Sequence, residues 1–507
     1  MKVTTSLLCL ALGTLVSQVS ALDPIVTVGS KFFNSKTGEQ FYVKGIAYQP
    51  GAGKTNTTDP LADTTACKRD IARFKDLGLN VVRVYEVQNE NNHDECMKAL
   101  EAAGIYLLLD VSTAKQSINR NEPEYTLEMY NYVATKMGKF TKYSNMFGFI
   151  AGNEVSNEPS NTDASPFVKA LLRDMKALLK ASNLSIPVGY ATNDDEAIRD
   201  PLQDFFACGD TTVRADFYGV NIYQWCGSKT DFVTSGYKDT MERYKDYVIP
   251  SYLTEYGCNI NRPRTFDEVA SIYGPDMQDI MSGGVVYEYS EESNEYGLVE
   301  IKDGKDTPNQ DYANFKKAIS AVEPKGTTMS SYKADDKTLK CPSSSSSWTA
   351  SEKLPPTPSN QTCKCLQDTY SCQLTIAPSG DDDKTFGSAV GDILGVICDA
   401  IDCGPISADG ANGTYGAFSF CDATTKTNWA LSAYAASGKG GDKACDFDGK
   451  AKTNTPKVKD ASTCGNKTDS TVKLSGSGSG GSSSSSDNND STSAAPRLFG
   501  VNHKGLP

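Results

Sequence analysis

The sequence predicts a (β/α)8 TIM barrel followed by a small disulfide-rich domain and a disordered Ser-rich tail. Three observations carry this. Eight short apolar runs alternate with helical stretches over the first 320 residues. Most of these runs are continuously apolar, as parallel strands buried on both faces should be. Near Glu323 the alternation stops, and cysteine, serine and proline accumulate. Eight strand–helix alternations over about 250–300 residues match this barrel. An open doubly wound sheet usually has fewer strands and opens on a glycine-rich turn, which Ala47-Tyr48-Gln49 is not.

In chain order, residues 1–21 read as a signal peptide: Lys2, an apolar stretch from Leu7 to Val16, then small Val19-Ser20-Ala21. The stretch is too short to span a bilayer. The eight expected strands are Tyr42–Tyr48, Asn80–Val87, Ile105–Val111, Met146–Glu154, Pro187–Thr192, Phe217–Tyr223, Tyr252–Tyr256 and Val285–Tyr289. Thr65–Leu77 carries Ile71, Phe74 and Leu77 at helical spacing, and Asp94–Ala103 carries Met97, Leu100 and Ala103 before a capping Gly104. Phe167–Leu179, Tyr237–Val248 and Tyr312–Val322 read the same way. The barrel is expected over 22–324. Ser344–Ser347 and the Leu354–Pro358 stretch mark a linker over 325–362. Residues 363–465 hold eight of the 14 cysteines left once Cys9 departs, the density of a stapled domain whose connectivity is open. The Ser/Gly/Asp/Asn-rich residues 466–507 are expected to be disordered.

The formal charge is −13 with no basic stripe, which argues against a nucleic-acid partner and suits a neutral polysaccharide. The two histidines, His93 and His503, form no ligand pattern, so neither metal nor cofactor is expected. The even cysteine number reads as disulfides of a secreted chain. Sequons at Asn56, Asn183, Asn360, Asn412, Asn466 and Asn489 fit that route.

Functional residues of such barrels sit at the C-terminal strand ends. The fourth expected strand ends in Gly152-Asn153-Glu154, and the seventh contains Thr254-Glu255-Tyr256. Two carboxyls at one rim can flank one glycosidic bond, the first protonating the leaving oxygen and the second attacking the anomeric carbon. That division needs a raised pKa on one and an ionised partner. Glu154 is the candidate acid/base and Glu255 the candidate nucleophile, about 5–5.5 Å apart if configuration is retained. Asn153 would bond the sugar 2-hydroxyl, and Arg83, inside strand two, would orient Glu255. Singly, either glutamate reads equally as an ion-paired or solvated loop carboxylate. Cys226 and Cys258 each follow a strand-end residue by three positions on neighbouring strands, so a disulfide between them is geometrically sensible.

Several segments together resemble glycoside hydrolase family 72, the fungal cell-wall β-1,3-glucanosyltransferases. They are Tyr42–Gln49, Asn80–Tyr85, the Ser117-Ile118-Asn119-Arg120 loop, Gly152–Val155 and Thr254–Cys258. The cysteine-rich segment resembles carbohydrate-binding module family 43. The resemblance implies a glucan cleft using Gln49, Tyr85, Asp110, Ser112, Ser117, Asn119, Arg120, Asn153, Asn193, Asp194, Arg199, Tyr223 and Tyr287. It also implies Cys67–Cys96 and Cys208–Cys341 disulfides, and β-1,3-glucan as both donor and acceptor. The setting it implies is the cell wall or outer membrane face, with membrane contact only through a glycosylphosphatidylinositol anchor. The chain departs from that last point: after Ala495 it ends polar, without the apolar tail such an anchor needs. The motifs leave transfer and plain endo-β-1,3-glucan hydrolysis open. A non-catalytic wall-binding protein is the reading of another class, and the presence of both glutamates argues against it.

Overall fold

Eight parallel strands close into a barrel: β1 Val43–Ala47, β2 Val81–Val84, β3 Tyr106–Asp110, β4 Met146–Asn153, β5 Val188–Thr192, β6 Phe217–Asn221, β7 Ser251–Tyr256 and β8 Gly283–Val286. Each pairs with its sequence neighbour, and β8 closes on β1 through Gly283↔Val43 and Val285↔Gly45. This computed structural model describes residues 21–474 except 52–58, 114, 336, 381–382, 466, 468 and 470–472. The signal-peptide reading, the sequons at Asn56, Asn466 and Asn489, and the tail from 475 onward lie outside the described residues, Ala21 apart.

All eight expected runs are strands, most of them shorter than the apolar pattern. The second shows why. Its apolar pattern continues to Val87, but the ladder stops at Val84 because the amides of Tyr85 and Glu86 turn to the side-chain oxygen of Gln49, at 3.1 and 2.9 Å. The expected helices are α1 Thr64–Asp76, α2 Asp94–Ala102, α4 Ser165–Ala181, α6 Tyr237–Tyr244 and α8 Gln310–Ser320. The Asp63 and Asn309 carboxyl and amide oxygens cap α1 and α8. Helices α3 Leu127–Phe140, α5 Arg199–Ala207 and α7 Glu268–Ile272 were not read from sequence. The short hairpin Ile25–Val28/Lys31–Asn34 packs Phe32 on Phe147 and Tyr252, ring centroids 4.9 and 5.8 Å away. Both partners sit at the starts of their strands, so the hairpin stops the N-terminal mouth and leaves the opposite rim as the open end.

Beyond the barrel, α9 Asn360–Gln367, α10 Lys384–Ala400 and α11 Ala423–Ala436 surround a small core. Disulfides join Cys363–Cys421, Cys365–Cys464, Cys372–Cys445 and Cys398–Cys403. In the barrel Cys67–Cys96, Cys226–Cys258 and Cys208–Cys341 are bonded.

The 325–362 linker lies against the barrel rather than free of it. Trp348 is fully buried beside Phe205, and Arg173 Nη1 donates to the Pro355 carbonyl at 2.9 Å. Asp469 and Leu474, expected in the disordered tail, both make fixed contacts. The Asp469 carboxylate accepts from the Asn360 and Gln361 amides at the start of α9, at 2.7 and 2.9 Å. Leu474 is 7% exposed against the barrel's core. Composition averages over many residues, whereas one carboxylate at a helix start or one leucine in a groove is enough to hold a strand of chain.

Candidate active site

Arg83 occupies the barrel axis below the open rim, fully buried. Its guanidinium donates to Asp110 at 2.9 Å, Asn153 Oδ1 at 3.0 Å, Glu255 Oε1 at 3.1 Å and the Thr254 carbonyl at 3.1 Å. A planar fork of donors suits this branching role. Glu255 then receives two phenols, Tyr85 on Oε1 at 2.8 Å and Tyr223 on Oε2 at 2.7 Å. Three donors from β2, from just past it and from just past β6 therefore fix both oxygens of one carboxylate on β7.

Glu154 stands just beyond β4 with φ 50°, a left-handed backbone that a non-glycine residue adopts at a cost of about 1–3 kcal/mol. Its amide donates to the Ala191 carbonyl at 2.9 Å, and its own carbonyl accepts from Arg120 Nη2 at 2.7 Å. The carboxylate Oε1 accepts from Asn221 Nδ2 at 2.6 Å, and Thr254 Oγ1 donates to the other end of that amide at 2.8 Å. Burial, and then the charge of Glu255, push the Glu154 carboxyl above the usual range, against Asn221, Arg83 and Arg120. The two carboxylates thus sense each other in one web but sit in unlike surroundings. Asn153 Oδ1 accepts from both Arg83 and Asn221, the second at 3.1 Å, so these two bonds engage only the oxygen end of its amide.

The structure gathers Tyr85, Asp110, Asn153, Glu154, Tyr223 and Glu255 into this web. Gln49 supports it from behind by bonding the backbone after β2. Tyr287 joins through edge contacts to Tyr85 and Tyr223, centroids 6.5 and 6.2 Å away. Ser112, Ser117 and Asn119 are half-buried on the loop after β3, with Arg120 at its end. Asp194 and Arg199 form a separate rim cluster, next in sequence to Asn193, whose amide donates to the Asn157 carbonyl at 3.1 Å. Asp194 there meets Arg199 and Arg243, at 3.4 and 3.7 Å, together with the Gln224 amide. Sequence reasoning missed Asn221 and Tyr296. Asn221 was findable, since it is the polar last residue of an apolar strand. Tyr296, 5.3 Å from Tyr287 and 5.5 Å from Tyr223, comes from an irregular loop with no periodic signal. Among the described residues no acidic, histidine or cysteine cluster could hold a metal ion.

Comparison with known proteins gives one consistent answer. The family model described as glucanosyltransferase matches residues 14–323, and the X8 domain model matches 381–452. The pH-responsive protein 1 of Candida albicans is 44% identical over 457 residues, 87% of this chain and 82% of the relative. The 1,3-beta-glucanosyltransferase GAS2 of Saccharomyces cerevisiae is 42% identical over 446 residues, 84% of this chain and 79% of its own length. A solved structure of Saccharomyces cerevisiae Gas2p in complex with laminaritriose and laminaritetraose superposes with a TM-score of 0.78 at 41% identity. It covers 86% of this chain and 98% of that one.

Proposed function

The chain belongs to the glucanosyltransferase family, and from that premise we propose that it is a retaining β-1,3-glucanosyltransferase with Glu255 as nucleophile and Glu154 as acid/base. The observation that carries the residue assignment is the unlike setting of the two carboxyls. Glu154 is held above the ordinary carboxylate range by burial, which suits a proton donor. Glu255 is gripped by Arg83, Tyr85 and Tyr223, which suits an aimed nucleophile.

In the first half-reaction a Glu255 oxygen attacks the anomeric carbon of an internal glucosyl unit. Glu154 protonates the departing oxygen, and the fragment bearing the old reducing end leaves. In the second, Glu154 takes the proton of a hydroxyl on another glucan, which displaces Glu255 and forms a new β-1,3 bond. Asn153 Nδ2 would donate to the sugar 2-hydroxyl, a bond that strengthens in the transition state. Tyr85, Tyr223 and Tyr287 offer aromatic walls, Ser112, Ser117, Asn119 and Arg120 frame the cleft, and the buried Gln49 and Asp110 support it from behind. The Asp194–Arg199 cluster, with Asn193 beside it in sequence, extends the rim toward a further sugar. No cofactor enters this scheme.

The relatives' bound or named β-1,3-glucan oligomers support that polymer as donor and acceptor here. Seven disulfides suit an oxidising, extracellular compartment. No helix among the described residues is long and apolar enough to cross a membrane. A cell-wall location, with or without a lipid anchor, is the reading the family resemblance favours. Incubation with a reduced laminari-oligosaccharide tests the activity: products longer than the donor are expected, and shorter ones alone would assign hydrolysis instead.

A further inference from the structure

The segment between β3 and α3 touches the catalytic rim with one end and the cysteine-rich region with the other. At the front, Arg120 Nη2 donates to the Glu154 carbonyl at 2.7 Å, on the residue whose backbone is left-handed. At the back, three contacts cross between regions within a few residues. Glu124 Oε1 accepts from Lys426 Nζ at 2.6 Å. The Leu127 amide donates to the Phe420 carbonyl at 2.8 Å. The Leu127 side chain packs against the core of the cysteine-rich region, although its helix α3 belongs to the barrel. Lys426 is only 7% exposed against 47% for Glu124, and its Nζ also reaches the Ser419 carbonyl at 3.4 Å. A buried ammonium stripped of its carboxylate is costly, so this crossing is strongly specified. Beside Glu124, Tyr125 donates to Asp174 on α4 at 3.0 Å, so the barrel grips the back of the segment as well.

We propose that the cysteine-rich region is a positioning element for the acid/base centre, bracing Glu154 through Arg120, Glu124 and Leu127. This rests on the assignment of Glu154 made above. A left-handed glutamate has no intrinsic preference for its conformation, so external bonds must maintain it. One of those bonds comes from Arg120, and the crossing at Glu124 and Leu127, together with the Tyr125–Asp174 bond, steadies the Arg120 end of the segment. Lys426 and Glu124 are on this reading positioning residues, distant from the sugar. A module that merely gathered glucan would raise the local polymer concentration, and its disturbance would move KM and spare kcat.

A double-mutant cycle on the full-length protein tests the brace. Lys426→Met and Arg120→Gln, singly and together, are assayed for transfer on a reduced laminari-oligosaccharide. Lys426→Met is expected to lower kcat roughly 3- to 30-fold with little change in KM. The double variant should be no slower than the worse single one, because both changes cut one path. Lys426→Arg, which keeps the charge, should restore most of the rate. Losses that multiply, or a Lys426→Met effect confined to KM, would overturn the proposal. If Lys426→Met does not fold, Glu124→Gln at the half-exposed partner replaces it in the cycle. Glu154→Gln is run alongside. If that variant still transfers glucan, the acid/base assignment fails. If it is inactive while the cycle is additive, only the brace fails.

Discussion

The barrel carries its polar network inside a broad apolar shell, whereas the cysteine-rich region is held by covalent staples around about fifteen buried side chains. Arg83 and its partners sit at the barrel's axis with strands and helices excluding water on every side but the rim. Three disulfides fasten the barrel's periphery and its exit. Among its described residues the second region has four disulfides, three α-helices and short two-stranded pairings. The difference follows from surface-to-volume ratio. With a core of about fifteen buried side chains the second region offsets less chain entropy by burial, and cross-links that restrict the unfolded chain supply part of the rest. A large barrel has stability to spare for strain and buried charge, and it concentrates both at the site around Glu154 and Arg83.

The largest expected effect separates chemistry from stability. Glu154→Gln and Glu255→Gln should each lower transfer at least about 100-fold, since an amide neither donates the needed proton nor attacks. Circular dichroism should show both folded, and activity above a tenth of the parent in either would remove that residue from the mechanism.

Cross-link removal should distinguish the regions next. Replacing both Cys365 and Cys464 by Ser opens a sequence separation of 99 and should destabilise by about 4 kcal/mol. Opening Cys67–Cys96, with a separation of 29, should cost about 1 kcal/mol less in loop entropy and leave the barrel cooperative. Denaturant unfolding followed by hydrogen exchange reads both. Equal loss in the two regions would contradict the contrast drawn here.

A smaller effect lies in pH. Burial pushes the carboxyls of Glu268 and Glu288 to about 7, well above an unfolded glutamate. The native state therefore holds protons that the unfolded chain releases, so stability should fall as pH rises from about 4.5 to about 7. Glu268→Gln should flatten that slope by about 3 kcal/mol across the window. An unchanged slope in thermal or urea titrations would mean that Glu268 is already ionised in the native protein. Least of all, Leu474→Ala should destabilise by about 1–2 kcal/mol by uncovering the barrel groove it fills. A neutral outcome would return that stretch to the status of a loose tail.

What was legible in the sequence was whatever local pattern encodes. Continuous apolar runs fixed eight strands because a parallel strand must be apolar on both faces. A glutamate after the fourth run and another within the seventh marked the rim, because barrels expose chemistry only there. Strand ends were less legible, as at Val84, where a side chain from another strand competes for the backbone amides. Helix α3 was legible too, since Met129, Val133, Met137 and Phe140 recur at helical spacing.

By itself, then, the sequence determined the barrel, its strand order, its two carboxyls and the cysteine density that follows it. Periodicity and residue chemistry are properties of neighbours along the chain. Only the tertiary structure decided which cysteines of the second region pair, and that Asn221 supports Glu154. It alone showed that the proline-rich segment and Leu474 lie against the barrel, and that Glu124 meets Lys426. Each of these joins residues separated by tens to hundreds of positions. No local pattern specifies such a pair, because its partner is chosen by how the packed elements come to rest against one another.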